Sequence, residues 1–266
     1  GMTFAACRQK AVENTLGPGY GEILCRPNDN LAVEYLRALY SNAYNMKPLA
    51  VCRIGAGHDE RTAGRIRSGS DLREQIIHDG SVESFLPPEA QSIFQYEMQQ
   101  GRGPVAEGEI ELLLLSRLRM LAKTDFESIP DASEGLEQKL FSACQVHASL
   151  SDIYHSVKSK RYTHARIRRM TLSAALGIQK MHFFERPSYA RILAFNAVGS
   201  QILKEAKQKG SIPILSKPAA VKTLEPSAYK VFELTAKAHD LYVLTYKNAG
   251  FRAGGQDWTS SPYRIC

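Results

Sequence analysis

The chain has 266 residues, 44% hydrophobic and 23% charged, long enough for one large domain or two modest ones with real cores. Lys and Arg outnumber Asp and Glu by 34 to 27, a formal net charge of +7 that favours a polyanionic partner such as nucleic acid. The five cysteines, Cys7, Cys25, Cys52, Cys144 and Cys266, are widely spaced and show no CxxC or Cys/His pattern, which points to a reducing compartment and no structural metal.

No apolar run reaches membrane length and nothing resembles a signal peptide, so a soluble, cytoplasmic protein with no membrane partner is expected. Gly1-Met2 reads as a leftover residue ahead of a start methionine, and the chain enters a helical pattern almost at once. It is expected to be part of a longer protein or a truncated product.

Residues 4–16 carry helical spacing and stop at Gly17-Pro18-Gly19. Residues 31–39 form a second helix, for which Asn28, Asp29 and Asn30 offer caps. Lys47-Pro48 leads into residues 49–52, a short apolar run of buried-strand type, followed by the glycine turn of Arg53, Gly55 and Gly57 and a helix over 61–67. That sequence of elements predicts an α/β piece over residues 1–84.

From Leu86-Pro87-Pro88 onward the pattern is helical. Residues 90–100 form one helix, broken at Gly101-Arg-Gly-Pro104, and residues 109–123 form another with a leucine-rich stripe. Ser133 is expected to cap a helix over 134–147. Residues 189–195 look strand-like, and 200–209 form a helix closed by Gly210. Residues 211–215 suit an edge strand, because Pro213 removes a ladder donor. Residues 226–246 form a long helix, and the tail from Gly250 shows no regular pattern. Overall the reading is mainly α, with a helical domain over 85–266.

Two places suggest chemistry. The Gly55 and Gly57 turn, with Asn28 and Arg53 before it and Thr62 and Arg67 after it, could bring a nucleotide phosphate to backbone amides and cations. A Gly-x-Gly turn is equally often only a turn. The second place is residues 158–169, where six of twelve residues are Lys or Arg and none is acidic. Amphipathic spacing on either side makes Lys158, Lys160, Arg161 and Tyr162 a corner between two helices, with Arg166, Arg168 and Arg169 in the first turns of the second. Guanidinium forks, ammonium groups and one tyrosine at a helix start suit RNA, and the competing reading is a solvated basic face. Asp240, inside an apolar helix, needs a partner, for which a helix-bundle salt bridge is preferred. The seven histidines show no metal spacing, and no nucleophilic catalytic site stands out.

Several of these motifs occur together and in order. Arg8 to Glu13, Pro27 to Leu36, Lys47-Pro48, Arg53 to Gly57, Lys160 to Arg169, Arg191 to Asn196, Ala238 to Tyr242 and Thr259 to Pro262 make the chain resemble the bacterial tRNA(Met) cytidine acetate ligases across nearly its whole length. The resemblance implies an enzyme that uses ATP, with Mg2+, to activate acetate as acetyl-adenylate. It then transfers the acetyl group to the wobble cytidine of elongator tRNA(Met). It implies a nucleotidyltransferase-like Rossmann domain with an N-terminal His-x-Gly-His motif, absent from this sequence. Residues 1–84 would then be the end of that domain, and the chain alone is expected to be inactive. The family's ATP-contacting asparagine and arginine fall on Asn28 and Arg53. The family's phosphate motif is altered here, leaving Thr62 and Arg67 as its candidate contacts. Catalytic residues stay unassigned. Alternatives are a non-catalytic RNA-binding protein and a small-molecule nucleotidyltransferase homologue.

Overall fold

Gly17 has φ +107°, a conformation that glycine alone adopts without strain, and there the first helix α1 (Phe4–Leu16) ends. Pro18 does not prolong the break. Its fixed φ is already helical and its missing N–H would be unpaired at a first turn anyway, so it opens a second helix, α2 (Pro18–Ile23). The computed structural model in which these elements are seen describes residues 2, 4–42, 44–52, 54, 66–182 and 186–265. It divides into two compact units, residues 1–91 and 92–266.

In the first unit the same use of proline starts α3 (Pro27–Ser41) four residues ahead of the position expected from sequence, with Arg26 as N-cap. Asn28, Asp29 and Asn30 therefore lie in the first turn and are not caps. Asn30 donates to the Leu24 carbonyl at 3.1 Å and accepts from Arg8, which also pairs with Glu34 at 2.5 Å. These contacts stitch α1 to α3.

The expected strand at 49–52 is absent. Leu49 and Val51 are 89% and 85% exposed and their backbone is irregular. A strand exists only where a neighbouring strand completes the ladder, and neither sheet among the described residues includes this run. The α/β character predicted for residues 1–84 is thus not seen among the described residues, which form helices. One of those helices, α4 (Gly69–Asp79), was not anticipated, although its signals are local. Ser68 accepts from the Asp71 N–H at 3.2 Å, and Gly80 closes the helix at φ +70°.

The helix α5 (Pro88–Gln99) begins in the first unit and runs into the second. After it Arg102 clasps Glu97 at 2.5 and 2.6 Å and lies over the Phe251 ring at 4.4 Å, holding the Gly101 to Pro104 break against the tail. The leucine-rich stretch forms α6 (Glu107–Met120) and a separate α7 (Lys123–Glu127), because Asp125 accepts the Ala122 N–H and starts a new helix there. Next come α8 (Leu136–Val146), α9 (Leu150–Val157) and α10 (His164–Leu176). Leu118, Phe126, Leu140, Ile153, Val157 and Ile167 are fully buried among α6 to α10. At about 1.5–3 kcal/mol for each large apolar side chain, this is the principal source of stability in the unit. Cys144 sits in the same core, and burial pushes its thiol pKa up to about 12.

The remainder carries two short parallel pairs. β1 (Ala190–Arg191) pairs with β3 (Ile214–Leu215), and β2 (Ala194–Phe195) pairs with β4 (Tyr263–Arg264). Between them run α11 (Ala197–Lys209), α12 (Pro226–Val243) and α13 (Gln256–Thr259). The tail beyond Gly250, read as irregular from its composition, therefore contains a helical turn and a strand. Tertiary partners override weak local propensity there. Trp258 packs edge-on to Phe232 at 5.0 Å in a second core with Leu215, Val221, Leu224, Ala228 and Ala236. Among the described residues, no helix is long and apolar enough to cross a membrane.

Candidate nucleic-acid interface

The basic corner forms where the spacing places it. Val157 ends α9, and Thr163 caps α10 by accepting the Arg166 N–H at 3.3 Å. The corner is anchored from beneath by Leu150, Ile153, Val157, Ile167 and Met170, all in the core, so its cations stand on a rigid base.

Sequence alone could not show the acidic groups that reach the corner from elsewhere. The loop between α7 and α8 holds Asp131 and Glu134 at φ +63° and +62°. Left-handed backbone at two non-glycine residues is uncommon and places both side chains over the corner. Glu134 pairs with Arg161 at 2.6 Å and accepts the Tyr162 hydroxyl at 2.9 Å, a bond that raises the tyrosine pKa. Asp131 pairs with Arg169 at 3.2 Å. Arg166 donates to the Asp131 carbonyl and the Ser133 hydroxyl, each at 2.8 Å. Ser133, expected as the cap of α8, instead serves Arg166, and the cap position falls to Gly135. The seven corner residues thus divide in two. Arg161, Tyr162, Arg166 and Arg169 are clasped by the loop. Lys158, Lys160 and Arg168 are exposed and have no acidic partner among the described residues. Arg168 lies over the Tyr154 ring at 5.4 Å, and Arg166 over Tyr162 at 5.1 Å. The arrangement offers exposed ammonium groups and one stacked guanidinium for phosphates, beside an aromatic face held by Glu134.

The residues expected around a nucleotide lie in the first unit. Arg53, Gly55, Gly57 and Thr62 fall outside the described residues, as does the polar run His58, Asp59, Glu60. Asn28 is exposed in the first turn of α3. Arg67 turns inward, donating to Gln75 at 2.9 Å, meeting Asp71 at 3.6 Å and covering the Phe85 ring at 4.7 Å. No hydrogen bond or ion pair joins Asn28 to Arg67 among the described residues.

A third constellation explains several motifs that sequence reading could not place. Arg191 on β1, His239 on α12 and Asp257 on α13 meet, with Asp257 at 2.8 Å from Arg191 and 3.2 Å from His239. Burial works to raise the Asp257 pKa, but the Arg191 hydrogen bond and charge and the neighbouring His239 outweigh it and hold the carboxyl low. Asp240, expected in a salt bridge, instead accepts the Gly255 N–H at 2.7 Å. A Cβ at Gly254 would lie 3.1 Å from its carboxylate carbon. These contacts fasten the tail onto α12, which is a structural role.

A mostly helical protein of this design is matched over residues 1–257 by the family model described as HIGH Nucleotidyl Transferase, and to that class the chain belongs. Within it the chain falls among the tRNA(Met) cytidine acetate ligases. It is 31% identical to the protein of that name from Acetivibrio thermocellus over 98% of this chain and 66% of the relative. It is 34% identical to that of Thermoanaerobacter sp. over 94% of this chain and 63% of the relative. The chain thus spans just under two thirds of the length of these curated relatives. The crystal structure of apo Thermotoga maritima TmcAL superposes with a TM-score of 0.86 at 25% identity, covering 100% of this chain and 68% of that one. The structure of the same protein bound with alpha-thio ATP gives 0.86 at 26% identity, covering 99% of this chain and 67% of that one.

Proposed function

We propose that this chain supplies the tRNA-binding surface and part of the ATP site for acetylation of the wobble cytidine in elongator tRNA(Met). The observation that carries the reading is the α9–α10 corner, where Lys158, Lys160 and Arg168 stand exposed beside Tyr162 on a rigid helical base. The names of the relatives and the ATP-analogue complex of the structural neighbour support the reaction class.

In that reaction an acetate oxygen attacks the α-phosphorus of ATP, the α–β anhydride breaks and pyrophosphate leaves. The cytidine N4 amine then attacks the acetyl carbonyl, the C–N bond forms, a proton is lost and AMP departs. Cations near the leaving phosphate and exact placement of the amine supply the rate. Asn28, Arg53, Gly55, Gly57, Thr62 and Arg67 form the proposed ATP contacts, and Mg2+, when bound, would neutralise charge on the phosphates. A cytoplasmic location follows from the substrate.

Two domains, residues 1–84 for the nucleotide and 85–266 for the RNA, fit this division of labour. The test is equilibrium binding of tRNA(Met), with an unrelated tRNA as control, across a salt series. Salt-sensitive binding that favours tRNA(Met) supports the reading. Equal or absent binding to both removes RNA selection from this chain.

A further inference from the structure

Beside the corner lies a basin of about 270 Å³ between α6, α9 and α10, lined by Glu107, Glu111, Tyr154, His155, His164 and Arg168. None of its groups is used by the acidic clasp that holds Arg161, Tyr162, Arg166 and Arg169. Its size lies near the lower end of small-molecule sites, roughly 300 Å³.

Three features mark it as built for a ligand. First, Tyr154 is only 5% exposed and yet lines the basin. Burial, with Glu107 and Glu111 nearby, pushes its pKa up to about 12, so the hydroxyl stays a donor at neutral pH.

Second, two imidazoles form one wall. His155 and His164 meet edge to face with centroids 5.5 Å apart. His155 Nδ1 sits 2.8 Å from the Ser151 carbonyl, which can only accept, so the proton is on Nδ1. His164 is held below the usual histidine range by desolvation and by the charges of Lys158, His155 and Arg168. The ring faces offer a surface on which a base can stack.

Third, the basin is polarised. Glu107 and Glu111 on α6 line it with carboxylates, and one Glu111 oxygen is already fixed by the Leu150 N–H at 2.8 Å. Arg168 on α10, laid on the Tyr154 ring, adds a cation, with Lys158 close to His164. A bare phosphate would be repelled by the carboxylates and a simple amine by the guanidinium. A molecule with an anionic end, a flat ring and an amino group at the far end satisfies both.

We propose that this basin is a subsite for one unstacked RNA nucleotide whose base carries an exocyclic amine. Arg168 holds its phosphate, the wall formed by His155 and His164 packs against its base, and Glu107 and Glu111 accept its amine. The inference rests on the RNA-binding reading of the adjacent corner and adds a base-selective position to it.

The experiment follows the histidine Cε1–H resonances of the chain by NMR as CMP, AMP, UMP and inorganic phosphate are added separately. His155 and His164 shift saturably with CMP and AMP, at least several-fold more weakly with UMP, and little with inorganic phosphate. Tyr154→Phe, which keeps the ring in the core, and the exposed Arg168→Gln each weaken CMP binding at least about threefold. Unmoved histidines, or equal shifts with UMP or phosphate, overturn the proposal. The tRNA salt series separates the two readings. Binding of tRNA with inert histidines removes the subsite and leaves the corner. CMP binding without tRNA binding keeps the subsite and removes the corner.

Discussion

Glu134→Gln gives the sharpest test of the corner, because the wild-type carboxylate occupies Arg161, a cation that a phosphate could otherwise use. Glu134 is bound to Arg161 at 2.6 Å and to the Tyr162 hydroxyl at 2.9 Å. In the variant the amide keeps the shape and an oxygen for the tyrosine, but the charge is gone. The ion pair is solvent-exposed, at 69% and 45% for the two side chains, so folding stability changes little. RNA affinity changes in the opposite sense. A negative charge about 6 Å from a phosphate in water repels it by about 0.7 kcal/mol, roughly a factor of three in binding. Release of Arg161 adds one cation able to neutralise a phosphate, which steepens the salt dependence by about 0.7 to 0.9 in the log–log slope. The assay is filter binding or fluorescence anisotropy with tRNA(Met) between about 50 and 200 mM salt. Tighter binding with a steeper slope is expected, and Asp131→Asn, which frees Arg169, should behave alike. Weaker binding in both variants would show that the clasp preorganises the arginines and does not compete for them.

Lys158→Ala and Lys160→Ala each flatten the tRNA salt slope by about 0.7 to 0.9, since both ammonium groups are unclasped; unchanged slopes move the contact elsewhere. Asp257→Asn destabilises the chain by about 2 kcal/mol at pH 7, below the value for a fully buried pair because Arg191 is 27% exposed. The Asp257 pKa is depressed in the fold, so its stabilisation is present above the unfolded value of about 3.9 and lost as pH falls through the folded value. The gap between variant and wild type should therefore close only below about pH 4 in denaturant titrations, and a constant gap down to pH 3 would refute the ion-pair account. Leu140→Ala, at a fully buried position, costs about 2–5 kcal/mol in the same titrations, and a loss under 1 kcal/mol would mean that the site collapses freely. Cys144 should resist alkylation by iodoacetamide in the native state at pH 8 while Cys7 and Cys25, both exposed, react; labelling at equal rates would contradict its burial.

The resemblance rested on motifs whose purposes became visible only in three dimensions. Arg191, His239 and Asp257 are separated by up to 66 residues yet meet around the buried Asp257 carboxylate, which fixes the tail. Asp240 found a backbone amide and not a cation, because Gly255, far along the chain, turns its N–H toward α12. Ser133 looked like a cap, but the φ of +62° at Glu134 moved the helix start to Leu136 and released the hydroxyl to Arg166.

The sequence by itself determined the helices and the corner. Apolar spacing of three and four residues is a local property, and it placed α1, α5, α9, α10 and α12 within a few residues of where they lie. It also showed that cations gather at 158–169. Only the tertiary structure decided which of those cations are available. Asp131 and Glu134 lie 27 to 38 residues before the arginines that they neutralise, and no periodicity encodes such a meeting. The run at 49–52 fails as a strand for the same reason. Strand pairing is non-local, and an apolar run forms a strand only where a distant segment supplies the ladder, which local spacing does not encode.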